Sequence, residues 1–218
     1  MRVEWFGQST FRLTAGDVTV VVDPFGDVSG LAARGLQYDY PPMSDVTADV
    51  LLVTHEHRDH NAVEVVGGSP HVIRSSAGTF SDTPVGEVVG VASEHDPVAG
   101  TQRGANVMYA FELDGLRVAH LGDLGQSILR GEQAVALGQV DLLFVPVGGG
   151  PTIGSSLAFE IASTLGARWV VPMHYRTHRL NFLETADAFL ERFSSVSRPG
   201  ASFELSSVSE GAVAPAAP

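Results

Sequence analysis

Val50-Leu51-Leu52-Val53-Thr54-His55-Glu56-His57-Arg58-Asp59-His60-Asn61 is the most informative stretch of this chain. Its apolar start reads as a central strand, and three histidines and one aspartate follow between His55 and His60. Alternation along an extended backbone points His55 and His57 the same way. If the chain then turns into a helix, Asp59 and His60 sit at its N-terminal end, and two pairs of side chains face two adjacent metal positions. The competing reading is a solvated polar loop with incidental histidines. Imidazoles packed this closely repel one another when charged, so a metal that binds their neutral forms accounts better for the spacing.

Working outward, Val3–Phe6, Thr10–Leu13 and Asp17–Val22 read as strands of a meander. Val18 to Val22 is nearly all valine, the pattern of a strand buried on both faces. Asp23-Pro24 ends it, and Gly26 to Met43 reads as a long loop of the kind that often forms a lid or binding loop. Val72–Arg74 and Glu87–Ala92 are short strands, and Asp114-Gly115 marks a hairpin between Asn106–Leu113 and Leu116–Leu121. The second half alternates. Glu132–Leu137 and Ser155–Leu165 read as helices, Asp141–Val147 and Arg168–Met173 as strands, and Phe182–Phe193 as a closing helix. One domain is expected over residues 1–205, with residues 206–218, rich in Ser, Ala, Pro and Gly, as a flexible tail.

Composition narrows the chemistry. The 218 residues are 44% apolar and 17% charged, enough to bury one sizeable core. A formal net charge of -12 repels polyphosphates, so no nucleic-acid partner is expected, and a small-molecule substrate is. The chain has no cysteine, which excludes disulfides, thiolate nucleophiles and Cys-based zinc sites. Any metal must be held by imidazole nitrogen and carboxylate oxygen, a donor set that suits zinc, manganese or iron. Neither a signal region nor a stretch of membrane-spanning length is visible, so a cytoplasmic location and no membrane partner are expected. A homo-oligomer is compatible with all of this.

The motif His55-x-His57-x-Asp59-His60 after a strand resembles the signature of the metallo-β-lactamase superfamily, and further segments match in the same order. Trp5-Phe6-Gly7-Gln8-Ser9-Thr10 is similar to the family's opening strand turn, and Val22-Asp23-Pro24-Phe25 to the segment that follows it. His95 in Ser93-Glu94-His95-Asp96, Asp123 in His120-Leu121-Gly122-Asp123 and His174 in Val171-Pro172-Met173-His174-Tyr175 fall where the family places its remaining ligands. Val145-Pro146-Val147-Gly148-Gly149-Gly150 resembles a loop of the branch that contains the UlaG-like proteins.

The resemblance implies a four-layer αββα sandwich of the α/β (α+β) class and a two-metal site, most readily zinc. His55, His57 and His95 would hold the first ion, Asp59, His60 and His174 the second, and Asp123 would bridge them. A metal-bridging hydroxide would then attack a small ester, lactone, amide or phosphodiester, with Asp59 also orienting the nucleophile or passing a proton. Water bound to zinc can have its pKa lowered to roughly 7, and two ions about 3.5–4 Å apart can clamp the attacking and leaving oxygens. A nuclease of the tRNase Z type, or a metal-binding regulator without turnover, are the rival readings.

Other residues are less decisive. Taken alone, His95 reads as a polar loop residue, Asp123 as a turn residue and His174 as a strand-end histidine; following strands in the family order is what groups them. Asp23 is either a supporting residue behind the metals or a turn starter before Pro24. His120 reads as a buried hydrogen-bond donor behind the ligands. His178 either faces substrate or lies on a surface loop. Gly148 and Gly149 either bring backbone N–H groups to an anion or allow close chain packing. Gln8 and Gln126 stand where many relatives carry histidine, and glutamine keeps hydrogen-bonding capacity without a cationic form.

Overall fold

In the computed structural model, which describes residues 1–28, 30 and 35–218, two mixed β-sheets pack face to face. The chain runs β1 (Arg2–Gly7), β2 (Thr10–Ala15), β3 (Val18–Val22), β4 (Val46–Val53), β5 (Val66–Arg74), β6 (Gly78–Thr83), β7 (Gly86–Glu94), β8 (Ala105–Leu113) and β9 (Leu116–His120). It continues with α1 (Gly131–Leu137), β10 (Leu142–Pro146), α2 (Ser155–Thr164), β11 (Trp169–Met173), α3 (Asp187–Leu190), β12 (Val196–Ser197), β13 (Ser202–Glu204) and β14 (Gly211–Val213). The first sheet has the order β13-β1-β2-β3-β4-β5, and the second β12-β14-β11-β10-β9-β8-β7-β6. Antiparallel pairing gives way to parallel pairing at β3 in one sheet and at β9 in the other.

Valine-rich strands form here because both of their faces are covered. Val20, Val22, Val50 and Leu52 point into the sandwich, while Val21 and Leu51 point the other way. The inner layer closes with Trp5, Phe11, Tyr109 and Phe144, and the Phe11 and Phe144 rings meet across the two sheets at 4.5 Å. On the outer face of the second sheet, Leu137 of α1, Ile161 of α2 and Phe189 of α3 pack over Leu143, Val145 and Val170. The outer face of the first sheet is covered by Phe6, Met43 and a single 3-10 turn at Val63–Val65 among the described residues. The α+β class holds, with the α-helices described here gathered on one side.

Three expectations change, and one strand went unread. No α-helix follows His60; a turn and the 3-10 segment do so. The closing helix expected over Phe182–Phe193 shrinks to α3, because Glu184 gives its amide to the Gly148 carbonyl (2.9 Å) and its carbonyl to the Arg176 amide (2.8 Å). Strand β6 went unread because its Ser- and Thr-rich, solvent-facing sequence carries no apolar alternation. Finally, residues 206–218 are not a frayed tail. Gly211–Val213 inserts as β14, parallel to both β11 and β12, and buries Ala212, Val213 and Ala214. No helix among the described residues is long and apolar enough to cross a membrane.

Truncating the chain after Glu210 should therefore cost at least about 2 kcal/mol, since burying a single valine side chain is worth ~1.5–3 kcal/mol. Urea unfolding followed by tryptophan fluorescence measures this, and an unchanged midpoint would contradict the placement of β14.

Candidate metal centre

The segments leaving β3, β4, β7, β9 and β11 meet at one rim of the sandwich, bringing Asp23, His55, His57, His60, His95, Asp123 and His174 together. The convergence point is one oxygen. Asp123 Oδ2 lies 3.0 Å from His174 Nε2, 3.3 Å from His60 Nε2, 3.3 Å from His95 Nε2 and 3.9 Å from His55 Nε2. Two triads with mutually close ligand atoms share this space, His55–His57–His95 and His60–Asp123–His174. A third, Asp23–His55–His60, lies behind them. Asp59 reaches to 3.6 Å from His60 Nε2 and, like the exposed His57, faces the solvent side.

The imidazoles are aimed by what holds their other nitrogens. His60 Nδ1 lies 3.0 Å from Asp23 Oδ2, and His95 Nδ1 lies 3.1 Å from the Pro151 carbonyl. His55 Nδ1 lies 2.9 Å from Thr54 Oγ1, which itself donates to Asp23 Oδ2 at 2.7 Å. In each case Nδ1 faces a local acceptor, an arrangement that would leave a neutral imidazole's Nε2 lone pair directed at the centre when a cation is bound. His60 Nε2 is fully buried and has no hydrogen-bond partner. A buried imidazole nitrogen that faces carboxylate oxygens without a well-formed hydrogen bond, among others turned the same way, fits a divalent cation held by nitrogen and carboxylate oxygen.

Asp23 organises this rim. Its Oδ1 accepts the Thr54 amide at 2.7 Å, and its Oδ2 serves both Thr54 Oγ1 and His60. Asp123 is steadied by the Ser9 hydroxyl (3.3 Å) on Oδ1, and its amide donates to Asn106 Oδ1 (3.0 Å). Three non-glycine residues at these strand ends, Gln8, Asp23 and His174, have φ near +51°. Such left-handed backbone costs on the order of 1–3 kcal/mol per residue and persists where surrounding contacts impose it. Gly122 has to be glycine: at φ +57° a Cβ would collide with Asn106 Oδ1 and Thr54.

Charge and burial divide the histidines. Burial first, and then the neighbouring His60, push His55 well below the ordinary 6.5. Burial and His95 lower His57 as well. Burial opposes charge on His60, yet the Asp123 and Asp59 carboxylates outweigh it and raise its pKa well above 6.5. Burial would likewise raise Asp123, but His174 and His60 hold it well below the usual carboxylate range. Outside the pocket, Glu56 clips the motif to β5: Arg74 first, with Ser75 and Asn61, lowers its pKa to about 2.

Several residues singled out in the sequence find other places. His120 is buried, with Nε2 2.9 Å from the Ser9 carbonyl and Nδ1 accepting the Gly122 amide at 3.2 Å. Gly148 and Gly149 do not cradle an anion. Their amides donate to the His174 carbonyl (3.0 Å) and the Ile153 carbonyl (3.2 Å), and a Cβ at Gly148 would collide with the His174 carbonyl. His178 is exposed and gives its carbonyl to Gln37. Gln126 is engaged with Gln133 and the Ile128 carbonyl. Gln8, by contrast, is buried with both amide atoms unpartnered.

Of the long loop expected at 26–43, Ser29 and residues 31–34 lie outside the described residues. Its later part is pinned to 177–181 through a Tyr38–Leu180 bridge, an Asp39 amide to Arg179 carbonyl bond (3.0 Å) and a Tyr40–Thr177 hydroxyl contact (2.9 Å). Sequence reasoning missed Thr54 and Ser9 as supports, although both stand inside quoted motifs. It also missed Asn106, which carries no local signal.

A two-sheet sandwich with histidines and carboxylates gathered at one rim defines a metal-binding class of protein. The beta-lactamase superfamily domain matches residues 2–174, and the chain belongs to that superfamily. A UPF0173 protein of Pyrococcus abyssi is 31% identical over 205 residues, covering 82% of this chain and 85% of its own. A UPF0173 metal-dependent hydrolase of Methanoculleus marisnigri is 29% identical over 234 residues, covering 94% and 97%. Among solved structures, a Thermotoga maritima protein, described as a candidate Zn-dependent hydrolase of the metallo-beta-lactamase superfamily, superposes with a TM-score of 0.81. It shares 34% identity and covers 100% of this chain and 99% of its own.

Two outcomes are expected. Asp23→Ala strips His60 and Thr54 of a shared buried acceptor and should destabilise the metal-free protein by about 3 kcal/mol in urea unfolding. For Glu56, a folded pKa near 2 against an ordinary 4.5 means its stabilisation is present above 4.5 and lost as pH falls through 2. An NMR titration of the Glu56 carboxyl with a midpoint near 4.5 would contradict the Arg74 clip.

Proposed function

We propose that this chain is a metal-dependent hydrolase acting on a small ester, lactone, amide or phosphodiester. His55, His57 and His95 would hold one divalent cation, Asp59, His60 and His174 a second, with Asp123 between them and zinc the foremost ion. The observation that carries this is Asp123 Oδ2 ringed by four imidazole nitrogens within 3.9 Å, with His60 Nε2 fully buried among them. Cations in such a site supply Lewis acidity and a nucleophilic water near neutral pH. The protein's part is orientation. Asp23, Thr54 and the Pro151 carbonyl fix the tautomers, and the partly exposed Asp59 stands where a proton can be exchanged with solvent or substrate. A net charge of -12 favours a small substrate over a nucleic acid.

The test is elemental analysis of the purified protein, followed by zinc-loaded assays on a panel of esters, lactones and phosphodiesters. About two equivalents of zinc are expected, with turnover that chelation abolishes. His57 is exposed, so His57→Ala should fold, and its kcat/KM should fall by more than the about 10–100-fold typical of losing an outer-shell partner. Failure of metal-loaded protein to turn over any member of the panel would overturn the hydrolase reading.

A further inference from the structure

Where β1 turns into β2, three consecutive buried residues each touch a different segment of the rim. The Gln8 carbonyl accepts the His174 amide at 3.4 Å, Ser9 Oγ lies 3.3 Å from Asp123 Oδ1, and Thr10 Oγ1 donates to the Asp23 carbonyl. The turn belongs to the first sheet, whereas Asp123 and His174 follow strands of the second. Something must therefore hold Ser9 in register with Asp123 across the sandwich, and His120, the last residue of β9, makes that link.

The contacts close into a ring. His120 Nε2 lies 2.9 Å from the Ser9 carbonyl, His120 Nδ1 accepts the Gly122 amide at 3.2 Å, and Gly122 leads directly into Asp123, whose Oδ1 returns to the Ser9 hydroxyl. Chemistry fixes the polarity. A backbone amide only donates and a carbonyl only accepts, so His120 is neutral with its proton on Nε2. Both of its ring nitrogens are then occupied, and it has no lone pair left for a cation. Burial lowers its pKa below the ordinary 6.5, in keeping with the neutral form. The imidazole also packs against Phe11 and Phe144, at 6.2 and 5.8 Å between ring centroids, so it cannot turn without disturbing the core between the sheets.

We propose that His120 is a positioning residue for the metal centre and acts through Ser9. It holds the Ser9 backbone so that the Ser9 hydroxyl claims Asp123 Oδ1 and leaves Oδ2 facing the ring of imidazoles. A carboxylate tied at one oxygen is oriented before a cation arrives, which favours binding. The inference rests on the metal-centre reading. A stitch between the sheets with no such role would affect stability, and would not couple His120 to Ser9 in metal affinity.

Zinc affinity, measured by competition with a chromophoric chelator, tests this in wild type, Ser9→Ala, His120→Asn and the double variant. Asparagine at 120 keeps an acceptor on the Gly122 side and loses the N–H that reaches Ser9. Each single substitution should weaken zinc binding by about 10-fold, the lower end of what losing an outer partner costs. Because the two residues act in series, the double variant should bind no more weakly than the weaker single variant, whereas independent effects would multiply to about 100-fold. The 15N shifts of the His120 ring in zinc-loaded wild type read the tautomer without depending on how any variant folds, and Nε2–H is expected. Unchanged zinc affinity in Ser9→Ala, a double variant weakened about 100-fold, or a His120 proton on Nδ1 would each overturn the proposal while leaving the metal centre standing. Wild-type protein that takes up no zinc would sink the metal centre and this proposal with it.

Discussion

Asp123 Oδ2 sits within ion-pair range of four histidines drawn from three separate segments, and the architecture around it is arranged to keep them there. Four imidazoles cannot all be charged in a space of this size, and a lone buried carboxylate cannot stay ionised without company. The compromise visible in the protonation balance is asymmetric. His55 is pressed toward neutrality by burial, whereas His60 is drawn toward charge by Asp123 and Asp59. A divalent cation relieves the same conflict differently, by binding neutral imidazoles and the carboxylate at once. The close fit between what the cluster needs electrostatically and what a cation supplies is the main physical reason for treating this rim as a metal centre.

Holding such a cluster needs rigid surroundings, and the sandwich provides them. Each of these side chains follows the end of a strand buried in the sheet core, so its backbone cannot drift without disturbing well-packed valines, leucines and phenylalanines. Left-handed backbone at Asp23 and His174 then swings the side chains inward, at a conformational cost that the sheets absorb. Behind the ligands, Asp23 joins Thr54 and His60 into one hydrogen-bonded unit, so the loop after β4 is anchored to the end of β3. Asp96 does the same for the loop after His95, accepting the amides of Val98, Gly100, Gln102 and Arg103.

Much of this was legible in the residues. The dense His55–His60 motif and the valine runs of β3 and β4 announce themselves, because burial on both faces and metal ligation both impose strong local patterns. His95, Asp123 and His174 carry no such pattern alone, and only their order in the family drew them in. What could not be read depends on distant partners. Glu184 leaves the helical pattern because its backbone is claimed by Gly148 and Arg176, and β6 pairs through backbone bonds that polar side chains do not advertise. Gly148 and Gly149 looked equally suited to anion binding and to packing. The adjacent His174 carbonyl decides for packing.

The insertion of β14 between β11 and β12 bears on how the molecule is made. His174 leaves β11, and β11 gains its second sheet neighbour only when residues 211–213 arrive. During vectorial synthesis the strand that carries this imidazole would therefore remain an open edge after the strands leading to the other clustered histidines have emerged. Assembly of the histidine-rich rim would in this way be coupled to emergence of a segment almost forty residues further along. A nascent chain that captured a cation early would do so with the β4 histidines, and the His174 side of the cluster would lock last.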